Sequence, residues 1–265
     1  MGRAVAASGF CRGVIASGKL EDGGSAHSAM ATAKRYTWLL DELASAGREN
    51  LDEAHALRYD TKEDAAAAEE VRLLRQLGLD RTSELVDIGA GTGQFAVAVA
   101  PVCSRVVAVD VSPVMLRVLR DKVRASGISN LEIAEGGFLT YEHRGREADF
   151  VYSRYALHHL PDFWKAVALD RIRRVVRRGG VLRLWDVVYG FEPREVEQRL
   201  EGWCAAWEQP AADGWKRSDV EEHIRDEHST FTWLLEPMLE KAGFEIEDAS
   251  YSPDKLFARY IARAI

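Results

Sequence analysis

The sequence predicts an α/β protein in which a mostly parallel sheet is covered by helices on both faces. Short β-branched runs alternate with amphipathic segments between residues 84 and 186, and a glycine cluster follows the first run directly. Two further β-rich runs close the chain. Strands that alternate with helices form parallel sheets with right-handed crossovers, whereas two consecutive runs joined by a turn form an antiparallel hairpin.

Composition agrees with a globular domain and limits its partners. The 265 residues are 47% hydrophobic and 29% charged, which is typical of a chain with a sizeable core. Lys and Arg number 35 against 42 Asp and Glu, and the formal net charge of −7 disfavours a polyanionic partner such as nucleic acid. No run approaches the roughly 18 consecutive apolar residues of a membrane span. We therefore expect no nucleic-acid partner and no membrane association.

Cysteine usage indicates a reducing compartment. Cys11, Cys103 and Cys204 are far apart and form neither a CxxC pair nor a metal-ligand spacing, so all three are predicted to be free thiols. The apolar run at residues 4–7 is too short for a signal peptide. The sequence thus predicts a cytoplasmic protein, and it leaves open whether the chain is a monomer or a homodimer.

The first third of the chain divides into two segments. Residues 1–29 are rich in Gly, Ala and Ser without a sustained period, which predicts a flexible tail. Residues 30–80 are predicted to form N-terminal helices, because apolar residues have helical spacing over 36–43 and again over 71–77. Residues 81–265 then form the predicted main domain.

Strands and helices alternate along that domain. Residues 84–88 and 105–110 are β-branched runs on either side of an apolar helical run at 95–100, and Ser112 can cap a helix over 113–126. Further strands are predicted at 131–135, 148–153 and 181–186, a helix at 163–178, and a terminal hairpin at 244–251 and 257–262. Residues 190–242, rich in Trp, Glu and Arg, are predicted to form a helical cap.

The glycine cluster and the acid that ends the second strand form the strongest motif. Gly89, Gly91 and Gly93 are spaced G-x-G-x-G, unlike the G-x-G-x-x-G of dinucleotide-binding loops. In a doubly wound sheet, such glycines let a ligand approach the backbone, and an acid after the second strand accepts hydrogen bonds from ribose hydroxyls. Asp110 fits that role, so the spacing predicts a nucleoside site without a pyrophosphate turn.

This set of residues resembles the class I S-adenosylmethionine-dependent methyltransferases over roughly residues 55–262. The resemblance implies a Rossmann-like sheet of seven strands in the order 3-2-1-4-5-7-6, with the last strand antiparallel, and S-adenosyl-L-methionine as the cofactor. Its motifs are Asp87 to Gly93, Asp110, Phe150 to Ser153 with Leu157 to Leu160, Gly179-Gly180, and Ala242 to Phe244.

The resemblance also assigns cofactor contacts. Asp87 and the backbone at Gly89 and Gly91 are implied to contact the methionine moiety, and Asp110 the ribose. The residues implied to line the adenine slot are Val111, Met115, Gly137 and Phe138. Gly137 departs from the family pattern, because many members carry there an acid that holds the adenine amine. Here that contact must come from the backbone or from another side chain.

Tyr59 and Arg154 are candidate cofactor residues with open alternatives. Tyr59 could seal the site or pack an N-terminal helix onto the core. Arg154 is interpreted as pairing with the methionine carboxylate of the cofactor, with an acidic acceptor or a surface ion pair as the alternatives.

Candidate catalytic residues follow the fourth and fifth strands, because ligands of open α/β sheets bind at the carboxyl ends of strands. His158 is predicted to be a substrate-facing base or hydrogen-bond donor, the alternative being a cap for loop backbone. Asp186 either meets the substrate or closes its strand. Whether His158 or His159 faces the substrate stays open.

No metal site is predicted. His223 and His228 are five positions apart and so do not share a helix face, whereas zinc-binding helices use positions i and i+4. The segment 221–228 is interpreted as a solvated, charged helix.

These observations predict a methyltransferase that acts by in-line transfer on a small, apolar or aromatic metabolite, because a Trp-rich cap can roof a pocket. One alternative is an S-adenosylmethionine-binding cyclase or isomerase that does not methylate. Another is a non-catalytic binding protein, and in either case the tryptophans could simply fill the core of the cap. The acceptor and the methylated atom stay open.

Overall fold

The computed structural model describes residues 36–47, 49–62, 66–208 and 215–265. The chain divides into two units, residues 1–39 and residues 40–265. In the described part of the first unit, the rings of Tyr36 and Trp38 stack with their centroids 4.8 Å apart. The predicted tail, residues 1–29, lies outside the described residues, as does Cys11.

The second unit begins with turns and two helices. Residues 42–46 form turns, in which the Asp41 carboxylate accepts hydrogen bonds from the N–H groups of Leu43 and Ala44 at 3.1 and 3.3 Å. Helix α1 spans Glu53–Lys62 and helix α2 spans Ala67–Gln76. The helix predicted from the spacing at 36–43 is therefore wrong, because side-chain acceptors such as Asp41 favour local turns over a continuing helix.

A single sheet with seven strands along its main path forms the centre of the second unit. Its strands are β1 (Glu84–Ile88), β2 (Arg105–Asp110), β3 (Leu131–Glu135), β4 (Ala148–Arg154), β5 (Val176–Tyr189), β6 (Thr230–Phe231), β7 (Phe244–Tyr251) and β8 (Phe257–Ala264). The order is β3-β2-β1-β4-β5-β8-β7; β8 pairs antiparallel with both β5 and β7, and the remaining pairs are parallel. This confirms the predicted class and strand order. The two-residue strand β6, which pairs with the end of β5, was not predicted.

Helices flank the sheet and form the cap. The helices between the strands are α3 (Gln94–Val99), α4 (Pro113–Ser126) and α5 (Asp162–Val175). The helices of the cap are α6 (Val196–Ala205), α7 (Arg217–Asp226) and α8 (Thr232–Lys241). Ser112 caps α4 as predicted, since its hydroxyl accepts a hydrogen bond from the Met115 N–H at 3.1 Å. None of the helices in the described ranges has the length and apolar character that crossing a membrane requires.

The main core lies between the sheet and helices α2 to α4. Phe95 of α3 stacks on Tyr152 of β4 with the ring centroids 3.7 Å apart. A smaller apolar cluster, centred on Val187 and Tyr189, lies under the cap. Cys103 and Cys204 are both buried and free. This packing fixes the carboxyl ends of β1, β2, β4 and β5 at one edge of the sheet, where the candidate site is found.

Candidate cofactor and acceptor site

The loop after β1 turns sharply toward the end of β2. Gly89, Gly91 and Gly93 have φ angles of 78°, 55° and 78°, a region that only glycine adopts readily. The N–H groups of Gly89 and Ala90 both donate to the Val109 carbonyl, at 2.9 and 3.0 Å. The loop therefore lies against the carboxyl end of β2, and its backbone is open to a ligand.

Asp110 presents a buried carboxylate beside this loop. Its Oδ2 accepts a hydrogen bond from the Gly91 N–H at 2.7 Å, and its Oδ1 accepts one from the Ser112 N–H at 2.8 Å. Burial raises the pKa of Asp110, while those two N–H groups lower it in part. Each carboxylate oxygen has capacity for a further donor, which the two vicinal hydroxyls of a ribose can supply.

Two adjoining cavities follow the loop, and Tyr59, Gly89, Gly91, Arg154 and Tyr155 line both of them. The structure places all ten predicted cofactor residues on their walls: Tyr59, Asp87, Gly89, Gly91, Asp110, Val111, Met115, Gly137, Phe138 and Arg154. A spacing pattern from distant parts of the chain thus becomes one continuous surface. The glycine backbone, the buried acid and the nearby guanidinium fit a nucleoside that carries an amino-acid carboxylate.

Glu42, which the sequence analysis did not identify, lies at one end of the first cavity. Its carboxylate accepts hydrogen bonds from the Leu139 N–H at 3.1 Å and from the Thr140 hydroxyl at 2.9 Å. A Cβ atom added at Gly137 would collide with this carboxylate, so Glu42 occupies the place that a side chain at Gly137 would take. No local pattern could reveal this contact, because 97 positions separate Glu42 from Leu139.

Arg154 is held by aromatic rings at the end of β4. Its Cζ lies 4.8 Å from the ring centroid of Tyr155 and 4.0 Å from that of Trp185. Cation–π contacts of this kind orient a guanidinium without neutralising its charge. Arg154 also lines both cofactor cavities, where a guanidinium could meet an anionic group of the ligand.

A larger cavity of about 300 Å³ adjoins the cofactor cavities and is called here the acceptor cavity. It shares Asn50, Tyr59, Tyr155 and His159 with the first of them. Its apolar walls are Val187, Trp203, Trp207, Trp215, Val220 and Phe257. Five tryptophans lie between residues 185 and 233, and three of them line this one cavity. Of the other two, Trp185 is buried in β5 and Trp233 is 56% exposed.

The two predicted catalytic residues, His158 and Asp186, are in direct contact. Asp186 accepts hydrogen bonds from the N–H groups of Leu157 and His158, at 2.8 and 3.2 Å, and its Oδ1 contacts His158 Nδ1. The other ring nitrogen, Nε2, lies 3.0 Å from Glu227 Oε2. Burial lowers the pKa of His158, but the two carboxylates outweigh burial and raise it. Of the two predicted roles of His158, this geometry disfavours the base and is compatible with the hydrogen-bond donor, and it makes Asp186 a positioning residue for His158.

His159 lines both the first cofactor cavity and the acceptor cavity. Burial, together with the neighbouring His158, lowers the pKa of His159 to about 3, so its ring is neutral near pH 7. Of the two histidines that the sequence left undecided, His159 is the one that lies where the cavities meet.

Glu227 and His223 complete the wall next to His158. They are four positions apart, and His223 Nδ1 contacts Glu227 Oε2. Although burial raises the pKa of Glu227, the His158 and His223 rings bring it well below its usual value. The predicted solvated helix is therefore wrong for this face. His223 does not pair with His228, which is five positions away and exposed. Its partner on the same helix face is Glu227, four positions away.

Sequence comparisons agree with this site. Residues 85–180 match a family model described as a methyltransferase domain. An uncharacterised methyltransferase from Exiguobacterium sibiricum is 28% identical over 170 residues, which cover 64% of this chain and 72% of that relative. A demethylmenaquinone methyltransferase from Geobacillus stearothermophilus is 25% identical over 112 residues, which cover 41% of this chain and 47% of that relative. The chain thus spans less than half the length of this second relative.

Solved structures share the fold over about four fifths of this chain. An S-adenosylmethionine-dependent methyltransferase from Clostridium acetobutylicum superposes with a TM-score of 0.60 at 13% identity, covering 80% of this chain and 98% of the other. The [4+2]-cyclase SpnF superposes with a TM-score of 0.58 at 18% identity, covering 77% and 83%. At these identities the likeness shows the fold alone. Residues 85–180 thus form a methyltransferase domain, and the glycine loop with Asp110 supports its assignment to the class I S-adenosylmethionine-dependent methyltransferases.

Proposed function

We propose that this protein transfers a methyl group from S-adenosyl-L-methionine to a small aromatic or apolar metabolite. The observation that carries the proposal is the acceptor cavity, which adjoins the cofactor cavities and is walled by Trp203, Trp207 and Trp215. At about 300 Å³ it suits a small molecule and excludes a folded macromolecule. The net charge of −7 also disfavours a nucleic-acid acceptor.

The described residues account for cofactor binding as follows. The Asp110 carboxylate would accept a hydrogen bond from each of the two ribose hydroxyls. Arg154 would pair with the amino-acid carboxylate of the cofactor in a charge-assisted contact. Val111, Met115 and Phe138 would enclose the adenine. When bound, S-adenosylmethionine supplies an electrophilic methyl group, so the protein has chiefly to align the acceptor and exclude water. Tyr59, which lines all three cavities, is placed to cover them.

His159 is the proposed acceptor-facing residue of the transfer. It lies where the cofactor and acceptor cavities meet, and its neutral ring can accept a hydrogen bond from a phenol, another hydroxyl or an enol and so orient that oxygen. His158, with carboxylates at both ring nitrogens, would instead fix the loop that carries His159. The Geobacillus stearothermophilus relative is named for a quinone-type acceptor, and hydroquinones belong to the same phenolic class.

The test is methyl transfer from labelled S-adenosylmethionine to a panel of phenols, hydroquinones and enolisable acids. Trp203→Ala removes one aromatic wall of the acceptor cavity and is expected to lower kcat/KM for the best acceptor about tenfold or more, since burying one aromatic ring contributes over 1 kcal/mol. Affinity for S-adenosylhomocysteine should not change.

Trp233→Ala is the matched control, because Trp233 belongs to the same cap but is exposed and does not line the cavity. Equal losses in the two variants would show that the acceptor binds elsewhere. Absence of transfer to any compound of the panel would count against the proposed acceptor class.

A second candidate is a cyclase of the same fold, which the likeness to the [4+2]-cyclase SpnF and the mostly apolar cavity favour. The two activities differ in one product. A methyltransferase releases one S-adenosylhomocysteine for each turnover, whereas a cyclase closes a ring in its substrate and leaves the cofactor intact.

Glu42 is proposed to supply the adenine contact that Gly137 lacks. Glu42→Ala is expected to weaken S-adenosylhomocysteine binding about three- to tenfold, which corresponds to one lost hydrogen bond. The measurement is the affinity ratio between S-adenosylhomocysteine and S-inosylhomocysteine, in which a carbonyl replaces the adenine amine. The ratio should fall in the variant, whereas simple loosening of the loop at Leu139 would weaken both ligands equally and leave the ratio unchanged.

A further inference from the structure

His158, His223 and Glu227 form a cluster of potential metal ligands on the wall of the acceptor cavity. One ligand atom from each residue lies within 4.8 Å of the other two. In a tetrahedral zinc site with bonds of about 2.0–2.2 Å, the ligand atoms are about 3.4 Å apart. Glu227 Oε2 is closer than this to both rings, 3.0 Å from His158 Nε2 and in contact with His223 Nδ1, so an ion would enter by moving the carboxylate away from the two imidazoles.

The second ring nitrogen of each histidine already has a partner. His158 Nδ1 contacts Asp186 Oδ1, and His223 Nε2 lies 3.0 Å from Ser229 Oγ. The opposite nitrogens, His158 Nε2 and His223 Nδ1, both face Glu227. Metal-binding histidines almost always show this arrangement, because a carboxylate or other acceptor at the second nitrogen fixes the orientation of the ring.

Hydrogen bonds hold together the two chain segments that carry the cluster. The His228 N–H donates to the His158 carbonyl at 2.9 Å. The buried Lys165 ammonium donates to the carbonyls of Leu160 and His228, one on each segment. The three ligands are therefore held near one another before any ion binds, as a pre-organised site requires.

Electrostatics also favour a cation at this position. The side chains of Asp186 and Glu227 are only 2% and 12% exposed, and an anion with so little contact with water is costly unless a positive charge lies beside it. Within the described ranges, Glu227 Oε2 accepts no well-aligned hydrogen bond, although two imidazole nitrogens lie close to it. A divalent ion bound to Glu227 and the two imidazoles would neutralise Glu227 directly and would be felt by Asp186 through the His158 ring.

We propose that His158, His223 and Glu227 bind one divalent transition-metal ion, with Zn²⁺ the first candidate, and that its open coordination position receives an oxygen of the methyl acceptor. Three protein ligands with a fourth position open are typical of catalytic zinc rather than structural zinc. Because all three ligands line the acceptor cavity, that position faces the acceptor. The choice of acceptor oxygen rests on the proposed function, whereas the metal site itself does not.

The experiment titrates Co²⁺ into protein that a chelator has freed of metal, because tetrahedral Co²⁺ absorbs visibly and replaces Zn²⁺ with similar geometry. One equivalent is expected to bind and to be displaced by Zn²⁺. His223→Ala and Glu227→Gln should weaken binding at least tenfold, and Asp186→Asn, which removes the charged partner of His158, about ten- to a hundredfold. His228→Ala is the matched control and should bind as the unaltered protein does, because the exposed His228 side chain lies outside the cluster.

Affinity for S-adenosylhomocysteine, measured on the same samples, reports whether each variant is folded. Failure of the unaltered protein to bind Co²⁺ or Zn²⁺ more tightly than His223→Ala and Glu227→Gln would overturn the metal site, while labelled methyl transfer could still be observed. Stoichiometric Co²⁺ binding without methyl transfer to any acceptor would overturn the proposed function and leave the metal site standing.

Discussion

Gly89→Ala is expected to weaken S-adenosylhomocysteine binding roughly 30-fold or more, since two costs of about 1–3 kcal/mol each combine at this position. The first is backbone strain, because residue 89 has a φ of 78°. The second is steric, because a Cβ at Gly89 would lie well inside van der Waals contact with the Ala156 Cβ. Ala156 is itself a rigid methyl in the loop that leads to His158 and His159, so relief of the collision must move one wall of the cofactor cavity.

The control is Gly127→Ala at the end of α4. Gly127 has a φ of 66°, and a Cβ there meets nothing within 4 Å. It therefore carries comparable strain without the collision, and it should lower stability by about 1–2 kcal/mol while leaving cofactor affinity unchanged. Calorimetric titration of both variants distinguishes the two effects. Similar affinities of Gly89→Ala and the unaltered protein would show that the glycine loop does not hold the cofactor.

Glu70→Ala is expected to lower the free energy of unfolding by about 3–5 kcal/mol, because it leaves the Arg183 guanidinium buried without its counter-charge. Glu70 of α2 accepts two hydrogen bonds from Arg183 of β5, from Nε and Nη2, both at 2.8 Å. The side chains are only 5% and 4% exposed. The pair fastens helix α2 to the middle of the sheet. The melting temperature should fall by roughly 6–20 °C.

The double variant Glu70→Leu with Arg183→Met tests the mechanism. Replacing both partners of a buried ion pair by apolar side chains of similar volume is often neutral, since no charge then remains desolvated. We therefore expect the double variant to recover most of the lost stability in thermal or denaturant unfolding. A double variant as unstable as Glu70→Ala would show that the loss comes from packing of α2 rather than from the unpaired charge.

Patterns within short stretches of sequence were sufficient for the sheet and the cofactor loop. The alternation of strands and helices predicted a parallel sheet, and the strand order that the family resemblance implies is the order in the structure. The spacing of Gly89, Gly91 and Gly93 and the acid at Asp110 carried that resemblance, which implied most of the ten residues that lie along two cavities. Such patterns are readable because a strand, a tight turn and a helix cap each depend on a few consecutive residues.

Contacts between distant segments were not readable in this way. Glu42 lies 97 positions from Leu139, and its placement beside Gly137 depends on how the N-terminal turns pack on the sheet. His158 was predicted to be a base or a hydrogen-bond donor from its position after β4 alone, whereas Glu227 reaches it from the cap. In the cap, His223 contacts Glu227, four positions away, and not His228.

The sequence by itself thus determined the class of fold and the nucleoside loop, since both depend on local spacing, and the motifs it carries implied the cofactor through their family resemblance. The tertiary structure alone decided how the imidazoles and carboxylates are distributed. It places Asp186 and Glu227 on opposite ring nitrogens of His158, and it leaves His159 neutral where the cavities meet. The physical reason is that the protonation and direction of a buried imidazole depend on every charge within a few ångströms, and those charges come from separate elements that only folding brings together.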